Sequence, residues 1–224
     1  MGTLYVIGTP IGNLQDITFR AVETLKTCDR VVAEDTRMTS RLLARYDIKK
    51  PLFSLHERSP RGHFDKVAEM VARGENVALV TDAGTPGISD PGARIVALVR
   101  ERCGEKAVVP IPGPSAVATA LSASGIPGDE FVFLGFLPHK KGRQKLLDEV
   151  ALMKRAVVLY ESPYRMQKLL TELTARTPGR RIVIARELTK LFESISEGTA
   201  EELAARFEKG DISGKGEFVV ILAP

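Results

Sequence analysis

The chain has no tryptophan, two cysteines and three histidines in 224 residues, and each scarcity removes a class of function. Cys28 and Cys103 stand far apart without a Cys-x-x-Cys spacing, which excludes a disulfide framework and a thiolate zinc site; buried free thiols are expected. His56, His63 and His139 follow no metal-ligand pattern, so no metal centre is expected. Long apolar runs are missing as well. VVLY and FVVILA are strand-length, far below the roughly 20 residues that cross a bilayer. The opening MGTLYVIGTP lacks a basic segment, an apolar run of about 7 residues or more and a cleavage site. A cytoplasmic protein without a membrane partner is therefore expected.

What is present is a chain that is 44% hydrophobic, ample for a core, with a formal net charge of +4. A mildly basic balance permits a polyanionic partner without requiring one. The densest basic stretch is HKKGRQK, His139 to Lys145, with further pairs at Lys49/Lys50 and Arg180/Arg181.

The first half alternates strand-like runs with helical patterns, the mark of a largely parallel α/β sheet. TLYVIGT reads as a strand, DITFRAVETLKTC as a helix capped by Asp16, DRVVAED as a strand and TRMTSRLLARYD as a helix. HFDKVAEMVARGE supplies a third helix ended by Gly74, and NVALVTD a central strand. Asp90 and Pro91 start the helix PGARIVALVRERCG, and AVVPIP is a short strand. The second half, with strands in FVFLGFLP, AVVLYES, RIVIARELT, FESISEGT and GEFVVILA, predicts a mixed sheet. The expected fold class is α/β with two domains, an N-terminal one over 1–112 and a C-terminal one over 113–224.

Ligands of open α/β sheets bind beyond the carboxyl ends of the strands, which singles out GTPIGNLQD, EDTRMTS, TDAGTPGISDPG and IPGPSA. GTPIGN lacks the G-x-G-x-x-G order of a dinucleotide fingerprint, and neither it nor TDAGTPGISDPG holds the lysine of a phosphate-binding loop. TDAGTPGISDPG is acidic and free of Lys, Arg and His. Asp82 and Asp90 would repel a phosphate but could offset an ammonium or sulfonium ion, or bind a metal. Asp90 also reads as a helix cap, leaving Asp82 the better ligand candidate, while Gly84 and Gly87 allow backbone groups to come close. These residues point to a small cationic molecule.

GTPIGNLQDIT, EDTR, TDAGTPGISDPG, IPGPSA, GFLP, YESPYR, RELTK and KGEFVV occur in that order along the whole chain. Together they resemble the tetrapyrrole-methylase superfamily, and within it the ribosomal RNA small subunit methyltransferase I family, which 2′-O-methylates a cytidine of 16S ribosomal RNA. The resemblance implies two α/β domains of the tetrapyrrole-methylase type with an S-adenosyl-L-methionine cleft between them, in a homodimer acting on 16S ribosomal RNA or the small ribosomal subunit. Carried over motif by motif, the cofactor contacts fall on Pro10, Asp82, Ala83, Gly84, Thr85, Ile88, Ser115 and Ala116, and on the strand ends at Tyr160, Glu161 and Leu188. The family often continues past KGEFVV with a helical segment, whereas this chain stops at Pro224. If that segment grips RNA, substrate affinity is affected and the cofactor site is not.

Three charged clusters follow strands: Glu34, Asp35 and Arg37 in EDTR; Glu161 and Arg165 in YESPYR; Arg186, Glu187 and Lys190 in RELTK. Glu161 and Glu187 are candidates for a general base or an orienting group, with Lys190 beside them as a catalytic or orienting cation. Arg37, Arg165 and Arg186, with Lys140, Lys141 and Arg143 of the basic stretch, are candidates for RNA phosphate contacts. Ordinary salt bridges are the competing explanation for each. Phe64, Tyr46 and Tyr164 are candidates to stack a base, with core packing as the alternative. Two other functions stay open: the same fold and cofactor acting on a tetrapyrrole or other small molecule, and a non-catalytic RNA-binding factor.

Overall fold

A computed structural model describes residues 1–224, which divide into two compact units, Met1–Ser115 and Ala116–Pro224. No helix is long and apolar enough to cross a membrane.

The first unit carries strands β1 (Leu4–Ile7), β2 (Arg30–Ala33), β3 (Leu52–Ser54), β4 (Val77–Val80) and β5 (Val108–Ile111), and helices α1 (Phe19–Thr27), α2 (Thr36–Arg45), α3 (Arg61–Ala72) and α4 (Gly92–Cys103). The strands are all parallel, in the order β3-β2-β4-β1-β5. Helices cover both faces, which is why VALV of β4 is buried at every position. Val77 and Leu79 pack with Phe64, Val67 and Val71 of α3 and Ile95 and Val99 of α4. Ala78 and Val80 pack on the other side with Ala21 and Leu25 of α1 and Leu43 of α2.

Local signals explain most boundaries, with three corrections to the sequence expectations. Thr18, not Asp16, caps α1: its side chain accepts from Ala21 N, while Asp16 lies in a 3-10 turn over Leu14–Asp16. A hydroxyl at the residue before Phe19 meets the free N–H groups of the first turn, which a carboxylate two residues earlier cannot reach. The α4 cap position belongs to Pro91, without a side-chain bond. β3, which no apolar alternation announces, forms by pairing with β2 at the sheet edge. Cys28 and Cys103 are buried free thiols, as expected.

The second unit carries β6 (Phe131–Phe136), β7 (Ala156–Glu161), β8 (Ile182–Arg186), β9 (Ser194–Gly198) and β10 (Phe218–Leu222), with α5 (Ala116–Ser124), α6 (Arg143–Leu152), α7 (Met166–Arg176) and α8 (Ala200–Lys209). The order is β6-β7-β10-β8-β9; β6 and β7 are parallel and every other pair is antiparallel, giving the mixed sheet expected. Phe218 of β10 is in register with both Glu161 and Arg186. The carboxyl ends of β6, β7 and β8 therefore share one edge, and GFLP, YESPYR and RELTK all leave the sheet there. The basic pair Arg180/Arg181 is used internally. Arg180 donates to the carbonyls of Val150, Met153, Arg155 and Ala223, and Arg181 pairs with Glu197.

Candidate functional site

β1 and β4 are neighbours, yet the chain leaves them in opposite directions, toward β2 from β1 and toward β5 from β4. Such a reversal is where an open α/β sheet characteristically forms its ligand crevice, outside the carboxyl ends of the strands. Its walls are the two loops the sequence singles out, one beginning at Gly8 and the other at Thr81.

The loops are fastened to each other. Thr9 N donates to Gly84 O at 2.9 Å and Gly84 N returns a bond to Thr9 O at 3.1 Å. The Thr9 hydroxyl lies 3.2 Å from both Thr81 O and Gly84 O. Thr85 Oγ1 donates to Pro114 O at 3.1 Å, which brings in the loop after β5. Glycine is required where that loop meets the first: a Cβ on Gly8 would lie 2.7 Å from Gly113 Cα, and one on Gly113 would lie 2.6 Å from Gly8 O. These are backbone atoms that cannot swing aside. Sequence reasoning misses Thr9, although its place between Gly8 and Pro10 is the available signal.

Within this frame Pro10 and Gly84 are buried, Thr85 and Ser115 are half-buried, and Asp82, Ala83 and Ile88 face solvent. Gly84 has φ 82°, a conformation that suits glycine. No hydrogen bond within the chain engages Ala83, so its backbone N–H and C=O are available to a ligand. Asp82 accepts from Asp35 N at 2.8 Å, tying this loop to the start of α2. Asp90 serves structure, as expected, but as the clasp of its own loop: it accepts from Gly87 N, Ile88 N and Gly92 N.

The crevice is electronegative. Burial pushes the Glu34 carboxyl up, and the negative charges of Asp82 and Asp90 push it further, against a lowering bond from Thr81. At the rim, hydrogen bonds from the Arg37 side chain and backbone hold Asp35 down to about 2. Arg37 keeps an exposed guanidinium while making that pair.

In the second unit the Glu161 carboxylate is fully enclosed. Arg143 Nη1 lies 3.4 Å away, Arg165 Nη2 lies 2.7 Å away, and Ser162 N donates to it at 2.8 Å. Arg143 pairs with Glu172 as well, at 2.8 Å. This corrects one expectation. Arg143 is 2% exposed and its charge is neutralised inside, so it offers nothing to a phosphate. Glu161 is clamped by two guanidiniums and by the Ser162 N–H at the start of the turn Ser162–Arg165. Arg165 is mostly covered, with Nη1 bound to Leu137 O. Tyr160 is half-buried, with its hydroxyl pKa raised by burial, and Leu188 is buried.

The RELTK turn is built around Lys190, whose ammonium lies 3.0 Å from Glu187 and 2.8 Å from Glu217. Burial pulls the Lys190 pKa down, but the bonds to Glu217 and Glu187 outweigh it and the net shift is upward. Lys190 is thus a fixed cation and no proton acceptor. Arg186, expected at RNA, gives its guanidinium to Lys215 O and Phe192 O. Phe64, a stacking candidate from the sequence, is core, with the Arg94 guanidinium 3.9 Å over its ring. Tyr46 bonds Leu14 O. Tyr164, Lys140 and Lys141 are exposed, and their side chains carry no hydrogen-bond or ion-pair partner. Sequence reasoning also misses Phe136, Leu191 and Phe192, large apolar side chains left in solvent beyond strand ends.

The profile of the family described as Tetrapyrrole (Corrin/Porphyrin) Methylases matches residues 3–204. A Synechocystis protein named Ribosomal RNA small subunit methyltransferase I is 46% identical over 227 residues, covering 100% of this chain and 79% of its own length. A Thermotoga maritima protein of the same name is 42% identical over 225 residues, covering 100% of this chain and 99% of its own. Among solved structures, uroporphyrin-III C-methyl transferase of Thermus thermophilus complexed with S-adenyl homocysteine superimposes with a TM-score of 0.68 at 18% identity, over 99% of this chain and 97% of that one.

Proposed function

Because the chain belongs to the tetrapyrrole methylase family, and within it to the ribosomal RNA small subunit methyltransferase I proteins, we propose that it uses S-adenosylmethionine to methylate the ribose 2′-hydroxyl of a cytidine in 16S ribosomal RNA. The observation that carries the donor half is the switch-point crevice. Its longer loop has no cationic side chain and presents Asp82 beside an unengaged Ala83 backbone. S-adenosylmethionine carries a sulfonium and an ammonium charge, so an acidic wall with free backbone groups fits it, whereas it would repel a nucleotide phosphate. In this reading Pro10, Asp82 to Thr85, Ile88 and Ser115 hold the donor.

The bound donor supplies an electrophilic methyl group on sulfur. The chain's own residues must then place the 2′-oxygen in line with the S–CH₃ bond, and positioning of this kind supplies about 7–11 kcal/mol in ideal cases. A general base adds typically 10² to 10⁴-fold. Glu161 is enclosed and Lys190 holds its proton, which leaves Glu187 as the remaining carboxylate of the expected set. Burial raises its pKa, but hydrogen bonds from Glu217 N and Lys190 leave it below the usual range, so it would be a weak base. Positioning therefore contributes more to the rate than proton removal does. The same reading places the protein in the cytoplasm as a homodimer acting on ribosomal RNA or the small subunit.

The experiment is mass spectrometry of 16S ribosomal RNA from cells lacking this gene, before and after incubation with the purified protein and S-adenosylmethionine. One ribose methyl on a cytidine should be missing and then return. A methyl group that never returns, or that returns on a base, would overturn the reading.

A further inference from the structure

The shared carboxyl edge of the second sheet holds an unusual set of side chains. Phe136 ends β6, Tyr164 sits in the turn after β7, and Phe192 follows β8, with exposures of 55%, 96% and 66%. Single exposed apolar residues need no explanation, but a group gathered on one edge does.

The turn that presents Phe192 is rigidly built. Glu187 and Thr189 take positive φ values of 52° and 67°, which non-glycine residues adopt at a cost. Lys190 N bonds Glu187 O, Glu193 N bonds Lys190 O, and the Arg186 guanidinium holds Phe192 O at 2.8 Å. Fold stability gains nothing from holding an apolar tip in water, so the arrangement makes sense if something covers it. On the other side the Phe136 ring meets Tyr160 with centroids 5.5 Å apart, which joins the edge to a candidate cofactor residue. Lys140 and Lys141 follow Phe136 closely in the chain, and the Arg186 guanidinium joins Lys215 O to Phe192 O; all three lysines are exposed and their ammonium groups have no carboxylate partner.

We propose that Phe136, Tyr164 and Phe192 form a stacking platform for unpaired bases of the RNA substrate, with Lys140, Lys141 and Lys215 taking the adjoining phosphates. The proposal rests on the ribosomal RNA reading and adds to it that the target segment is bound single-stranded. β6 and β8 are three strand spacings apart, about 14 Å at roughly 4.8 Å each. Exposed aromatic rings spread over such a span can each stack an unpaired base. Charge selects the occupant. Rings bordered by unpaired cations match a polyanion with π-faces, whereas a second copy docked symmetrically on this edge would gather the lysines of both subunits into one interface.

The test uses the full chain and a labelled single-stranded fragment of 16S ribosomal RNA, read by fluorescence anisotropy across a salt series. Tyr164→Ala combined with Phe192→Ala should weaken binding roughly tenfold or more, since each stacked base contributes about that factor. The dependence on salt should keep its slope, and S-adenosylmethionine affinity by calorimetry and particle mass by light scattering should not change. Lys140→Glu with Lys141→Glu should instead flatten the slope, by about 0.7 per lost phosphate contact. Wild-type affinity in the aromatic double variant would overturn the platform, and so would a changed particle mass, which would make this edge a subunit contact. A wild-type protein that binds the fragment through these rings yet returns no methyl to 16S ribosomal RNA would sink the proposed activity and leave the platform standing. One that binds no RNA overturns both.

Discussion

Thr9 and Gly84 exchange backbone hydrogen bonds in both directions, and the buried Thr9 hydroxyl adds contacts to Thr81 O and Gly84 O. One residue thereby couples the loops that leave β1 and β4 on opposite courses. Thr9→Val keeps the shape and removes the hydroxyl, leaving buried carbonyls under-satisfied. The expected cost is about 1–3 kcal/mol of stability in urea denaturation. S-adenosylmethionine binding should weaken as well, because the loops are then held to each other by the backbone pair alone. Unchanged stability and affinity would mean that the backbone pair alone sets the crevice.

Asp82 combines two jobs that one substitution can separate. Its Oδ1 accepts from Asp35 N, and its charge faces the crevice. Asp82→Asn retains an acceptor for Asp35 N and deletes the charge. If the charge offsets the donor's cation, affinity for S-adenosylmethionine should fall about tenfold or more, the scale of a hydrogen bond to a charged group. The melting temperature should stay near that of the wild type. Calorimetry showing equal affinity would remove the Asp82 charge from the site.

The acidic, cation-free character of TDAGTPGISDPG is a property of side chains, so it is legible before any strand is placed. The crevice itself is not legible, because strand order is a tertiary property: nothing in the letters says that β1 lies beside β4 rather than β2. Charge runs mislead for a related reason. HKKGRQK places Lys140, Lys141 and Arg143 within four positions, yet the helix begins at Arg143 and turns that residue inward to Glu161 and Glu172. Phe64 is ambiguous in the sequence between a stacking and a core role, and the apolar face of α3 decides for the core. The exposed tip at Phe192 escapes a sequence reading because a phenylalanine in a short turn normally folds back onto the core.

Arg143 yields a prediction about stability rather than binding. Removing the buried Arg143 cation leaves Glu161 its pair with Arg165 but takes the guanidinium from Glu172, and breaking a buried pair in this way costs about 3–5 kcal/mol. Arg143→Ala should therefore lower the denaturation midpoint sharply, and Glu172→Gln in the same chain should recover part of the loss, because Glu172 is the carboxylate that Arg143 holds at 2.8 Å. Additive losses in the double variant would show that Arg143 and Glu172 do not act as a pair.

The Lys190–Glu187 pair predicts a pH dependence with opposite signs at its two limits. The Glu187 pKa is lowered on folding: burial raises it, but the bonds from Glu217 N and Lys190 prevail, so its contribution is full above the unfolded carboxylate value and is lost as pH falls through the folded one. The Lys190 pKa is raised, so its contribution is full below the unfolded ammonium value and is lost as pH rises through the folded one. Both are intact between roughly pH 5 and pH 10. Glu187→Gln should thus cost about 1–2 kcal/mol at pH 7, from the ion pair and the weakened acceptor for Glu217 N. The gap from wild type should close as pH falls through the folded carboxylate value, where the wild-type side chain is itself protonated. A gap that stays constant throughout the acid range would mean the substitution acts through packing against Gly216, where a Cβ would lie 2.5 Å from Glu187 Cγ, and not through charge.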